Sequence, residues 1–121
     1  MTRPELAGLR WVSSPPGTVC HLWFQRLISE VGESPDVRHC VDDFSTQVAL
    51  VAADGVAALL PRLARPHLSP SVTVIPLANP PRRTIHAVWR ASAGDDPALL
   101  AVVDAVEEAC RGLSVNASPA G

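Results

Sequence analysis

At 121 residues, with 47% apolar and 18% charged side chains, the chain has the composition of one globular domain and not of a disordered segment. Its formal net charge of −2 excludes a nucleic-acid surface built on charge alone, because phosphate binding needs a basic stripe. No apolar run reaches the roughly 18–20 residues that span a bilayer, and Met1-Thr2-Arg3-Pro4-Glu5-Leu6 lacks the apolar core of a secretory signal, so a cytoplasmic location is expected.

In chain order, the first element is a strand over Leu9–Ser13 with Trp11 and Val12 at its apolar centre. Ser14-Pro15-Pro16-Gly17 turns the chain, and Thr18 is placed to cap a helix from about Val19 to Val31. Cys20, Trp23, Phe24, Leu27, Ile28 and Val31 form one apolar stripe of that helix, and Gly32 ends it. A short strand follows over Val37–Val41. Asp42 and Asp43 then mark a turn and a helix start, and Phe44, Val48, Val51 and Ala52 recur at helical spacing. Asp54-Gly55 breaks that helix. The apolar run Val56–Leu60, closed by Pro61, reads as a strand covered on both faces. Two parallel strands joined this closely require the helix as their crossover, so two β-α-β units share the strand at Val37–Val41.

After Pro61, Arg62–Arg65 reads as a short helical turn or loop, and Val72–Leu77 and Thr84–Arg90 read as strands. Asp95-Asp96-Pro97 is a helix start, because carboxylates suit the positive helix end and Pro suits the first turn. Leu99, Val102, Val103, Val106, Cys110 and Leu113 then share an apolar face, with Gly112 near the stop. Residues 114–121 are small and polar and are expected to form a disordered tail. Prolines cluster between elements, and no internal repeat is present. The order implies an α/β fold with a mostly parallel sheet flanked by helices.

In such sheets ligands sit beyond the carboxyl ends of the strands, at helix N-termini. Two turns qualify. The hydroxyls and amides of Ser13, Ser14, Gly17 and Thr18 could hold a carboxylate, and Ser45 and Thr46 offer a second cradle that Asp42 and Asp43 make hostile to anions. The plainer reading of both turns is ordinary helix capping. Three cysteines without a signal segment read as reduced thiols. Cys20-His21 and His39-Cys40 are adjacent pairs whose members point in different directions, whereas zinc ligands are usually spaced two to four residues apart, so no metal is expected. Cys20, His39 and Asp42 could be assembled into a thiol hydrolase, but their spacing does not demand it and no G-x-S-x-G elbow is present. Arg82-Arg83 is too small a basic spot to carry DNA affinity.

The stretch VDDFSTQVALVAADGVAALLPRLA resembles the effector-binding domain of LysR-type transcriptional regulators, in which a Val- and Ala-rich helix leads through a Gly-x-Gly turn into an apolar strand ending in Pro. LAGLRWVSSPPGTVCH and IPLANPPRRTIHAVWR carry the same resemblance, which extends roughly from Glu5 to Leu113. Asp54 and Val56 stand where that family usually has its two glycines, so the turn is built differently. The resemblance implies a lobe like that of a type 2 periplasmic binding protein. Residues 9–77 would be the second lobe and residues 84–113 a return strand and C-terminal helix, within a partial domain of residues 1–113. It implies a regulatory role without catalysis or cofactor. The expected partners are a small acidic or aromatic metabolite, bound near the turns at Ser13–Thr18 and Ser45–Thr46, and further copies of the chain or another regulator subunit. The chain would stand without its helix-turn-helix and would not bind DNA by itself. The competing expectations are a small α/β thiol hydrolase using Cys20, and a regulator remnant without activity.

Overall fold

The computed structural model describes residues 3–32 and 34–115. The chain divides into two compact units, one running up to Arg82 and the other beginning at Arg83.

The first unit is built on a three-stranded parallel sheet. A short helix, α1 (Arg3–Ala7), leads into the strand β1 (Arg10–Ser13), the helix α2 (Val19–Ser29), β2 (Asp36–Cys40), α3 (Phe44–Asp54) and β3 (Ala57–Ala58). The strand order is β2-β1-β3, so the chain steps to one side of β1 through α2 and then crosses to its other side through α3. Parallel neighbours cannot be joined by a tight turn, and both helices serve as the crossovers that the geometry demands. The order reverses at β1, which makes the carboxyl end of this central strand a topological switch point. Between Trp11 and Val12 the pairing with β2 slips by one residue, leaving Arg38 as a bulge. Beyond the strand, Val41 N donates to Ser13 O at 2.9 Å and carries the ladder to the start of the next turn.

Successive strand residues face opposite sides, which sends Trp11 toward α2 and Val12 away from it. The core on the α2 side joins Leu6, Trp11, Phe24, Leu27 and Ile28, with Leu9, Leu59 and Leu77 packed against it. Trp11 and Phe24 meet edge to face at 5.3 Å between ring centroids, a geometry that adds to the burial of the two rings. Val12 and Val48 are buried as well, and Val48 is the apolar residue that α3 seals most fully. Gly55 closes α3 in the left-handed region, at φ 63°. A Cβ there would find no neighbour nearer than Arg10, so it is the backbone torsion and not the available space that calls for glycine. Asp54, standing where a glycine was expected, places its carboxylate 2.8 Å from His39 Nε2.

Several expectations are corrected. Helix α2 stops at Ser29 and leaves Val31 in the following turn, while Cys20, Trp23 and Val31 are only half-buried, so the stripe that packs is Phe24, Leu27 and Ile28. Ala52 is exposed on α3, and Gln47 takes an inward position that the apolar pattern had not marked. Strand β3 is two residues long and not five, because its backbone finds a partner only opposite Trp11 and Val12. Val72–Leu77 and Thr84–Arg90 form no strand; β-branched composition alone does not make one without a neighbouring backbone to pair with, and Val88 is 89% exposed. Arg62–Ala64 forms the expected short helical turn.

The second unit carries α4 (Pro97–Val115). Asp96 begins it, its Oδ1 accepting from Ala98 N at 2.9 Å. The helix passes through Gly112 and includes Ser114 and Val115, so those two residues are not tail, and the rest of the expected tail lies outside the described residues. Val102, Val106 and Leu113 on its apolar face are exposed. No helix among the described residues is long and apolar enough to cross a membrane.

Candidate functional site

The first strand-to-helix turn lies at the carboxyl end of β1. Gly17 adopts φ 87°, which lets the chain double back so that Thr18 N and Thr18 Oγ1 both donate to Pro15 O, at 3.3 and 2.8 Å. Thr18 has the extended backbone of an N-cap, and its hydroxyl oxygen accepts from His21 N at 3.2 Å. The amides before His21 in the first turn of α2 have no intrahelical partner by the nature of a helix start. The turn thus combines unused donors with the positive end of the helix dipole.

Ser13 and Ser14 sit deeper, at 4% and 5% exposure. The carbonyl of Ser14 accepts from Ser13 Oγ at 3.2 Å and from His21 Nδ1 at 3.0 Å. A carbonyl only accepts, so the Nδ1 nitrogen of His21 must carry a proton. The 3.4 Å contact between Ser13 Oγ and His21 Nδ1 is then the weaker branch of the same donation. Ser14 Oγ accepts from Gln47 Nε2 at 3.2 Å. The hydroxyl hydrogens of Ser13 and Thr18 are therefore spent within the turn, while that of Ser14 has no protein acceptor among the described residues.

The second turn, at the carboxyl end of β2, looks alike locally and differs in charge. Asp43 caps α3, its Oδ2 accepting from Thr46 N and Thr46 Oγ1, both at 2.7 Å. The Thr46 hydroxyl and the Thr46 amide hold the Asp43 carboxyl below its ordinary value of 3.8, with the Ser45 amide assisting against a small opposing cost of burial. Ser45 and Thr46 are exposed.

The structure thus gathers Ser13, Ser14, Gly17 and Thr18 in one turn and puts Ser45 and Thr46 in the next, where Thr46 is committed to Asp43. His21 and Gln47 were missed as members of the first turn. His21 stands three residues after the cap Thr18, a position from which a side chain can reach back. Gln47 is a lone polar residue on the inward side of α3, three positions after Phe44, and that mismatch was the available signal. His39 is engaged by Asp54 and not by Asp42. Among the described residues no three of His, Cys, Asp and Glu come together as a metal cluster.

A separate groove of about 460 Å³ runs along β3, lined by Leu9, Trp11, Val51, Leu59, Val72 and Ile75 among others. It is mainly apolar and includes none of the first-turn residues. Trp11 carries a buried indole N–H with no partner.

The model of one protein family, the LysR substrate binding domain, matches residues 1–111. No curated protein and no solved structure matches the chain.

Proposed function

The chain belongs to the LysR substrate binding domain family, so it is an effector-binding regulatory domain of a LysR-family transcriptional regulator, and we propose that it takes its effector at the Ser13–Thr18 turn. The effector is a small acidic or aromatic metabolite, held at the turn formed by Ser13, Ser14, Gly17 and Thr18, where the Ser14 hydroxyl hydrogen is the side-chain donor left to it. Ser45 and Thr46 contribute less, because Asp43 occupies Thr46 and keeps that turn negative. The observation that carries this reading is the position of the turn. It follows the central strand at the point where the strand order reverses, and it keeps the Ser14 hydroxyl hydrogen and the first amides of α2 available to an acceptor.

On the same reading, residues 9–77 are the second lobe of an architecture like the type 2 periplasmic binding proteins, and residues 84–113 supply the returning segment and its helix. The parallel sheet with helical crossovers supports the assignment of residues 9–77 as a lobe. The chain is not an enzyme, does not bind DNA by itself, works in the cytoplasm, and associates with copies of itself or with another regulator subunit. The exposed apolar residues of α4 support that association.

Thermal melts followed by circular dichroism, with a panel of small carboxylic acids including benzoate and succinate, test the site. A ligand at about 100 times its Kd stabilises the folded chain by about 2.7 kcal/mol. The expected result is a raised Tm with at least one acid, lost in Ser14→Ala when each protein is compared with its own ligand-free melt, and retained in Ser45→Ala. A shift that Ser14→Ala retains in full would place the ligand elsewhere.

A further inference from the structure

Gln47 lies on α3, yet its side chain is almost wholly enclosed, at 1% exposure. An amide is costly to bury unless its donors are matched. The Nε2 group donates to Ser14 Oγ at 3.2 Å and to Val41 O at 2.6 Å. These acceptors belong to different turns. Ser14 follows β1 and Val41 follows β2, so one side chain spans the two strand ends that face the switch point.

The direction of the contact with Ser14 has a chemical consequence. A serine hydroxyl has a single hydrogen and can accept through its oxygen. Because Gln47 can only donate from Nε2, it occupies the acceptor side of Ser14 Oγ and leaves the hydrogen to be given away. We propose that Gln47 is the positioning residue of the effector site: it locks the Ser13–Thr18 turn to the end of β2 and sets the Ser14 hydroxyl as a donor, which selects effectors presenting an anionic oxygen, a carboxylate above all. This rests on the reading of the Ser13–Thr18 turn as the effector site. A glutamate at the same position has nearly the same shape and the opposite consequence. Its carboxylate cannot donate to Val41 O, it draws the Ser14 hydrogen to itself, and it places a negative charge behind the turn.

The test uses Gln47→Glu and Gln47→Met in the full chain. Benzoate and succinate are titrated calorimetrically, and amide hydrogen exchange is followed at Thr18, whose N–H closes the first turn on Pro15 O, and at Val41, whose N–H ties the end of β2 to Ser13 O. A carboxylate that binds the parent chain is expected to bind both variants about tenfold more weakly or worse, with Gln47→Glu the weaker of the two. Exchange at Thr18 and Val41 should quicken together in Gln47→Met, while the amides of Leu27 and Ile28 keep their parental rates. Binding within twofold of the parent in both variants overturns the proposal. So does unchanged exchange at Thr18 in Gln47→Met, and that result needs no ligand. A parent chain that takes neither acid counts against the reading of the turn as an effector site, while the exchange rates still decide whether Gln47 holds the turns.

Discussion

The two strand-to-helix turns of the first unit begin from nearly the same local chemistry and end as different surfaces. Each follows a parallel strand, each places an oxygen-bearing cap before a helix, and each cap accepts an amide three residues on. The first cap is the Thr18 hydroxyl, set beside two buried serines and a histidine whose proton is directed inward. The second is the Asp43 carboxylate, exposed and anionic, and it takes up the Thr46 hydroxyl. A capping signature is thus compatible with a site that can receive an anion and with one that repels it. What separates them is the charge of the cap and whether a distant side chain braces the turn.

The comparison breaks first at the core. Phe24 roots α2, and therefore the first turn, against Trp11. Phe24→Ala is expected to cost about 3–5 kcal/mol in denaturant unfolding. A loss below about 1 kcal/mol would mean that the first turn does not depend on that packing. A smaller effect is expected from the cap itself. Thr18→Ala removes the acceptor of His21 N and the hydroxyl donor to Pro15 O, leaving the backbone donor, and should cost about 1 kcal/mol, read by the same unfolding curves.

The smallest effect distinguishes the turns by pH. The Asp43 carboxyl is held below 3.8 in the folded chain, so its contribution is fully present above the unfolded value and disappears as pH falls through the lower folded one. The start of α3 should loosen in acid below about pH 3.8, while the hydroxyl cap of α2 does not titrate. Residue-specific exchange at Thr46 and His21 across that range reads both ends. Asp43→Ser makes the two caps alike and should remove the difference; equal acid sensitivity of the two helix starts in the parent chain would contradict the assignment.

Much of the first unit was legible before any coordinates, and the reasons are local. The Thr18 and Asp43 caps and the Gly55 stop act over three or four residues, and the stripe Phe24, Leu27, Ile28 is a short-range period. Helix α1 was not legible, because five residues hold too little of a period to register; yet Leu6 became one of the most enclosed residues in the chain. Val72–Leu77 and Thr84–Arg90 have the residues of strands, but no backbone pairs with them, and composition carries no information about that.

The candidate site divides along the same line. The sequence by itself determined which residues carry hydroxyls, where Gly17 permits the turn, and that two carboxylates stand before α3, because these are properties of side chains and of neighbours in the chain. Only the tertiary structure decided that Gln47 reaches Ser14 across 33 positions, that Arg10 reaches the Asp54 carbonyl across 44, and that β1 lies between β2 and β3. Those contacts form only when strands from separate stretches close into one sheet, and the direction in which a buried hydroxyl donates is settled by whichever partner that closure brings beside it.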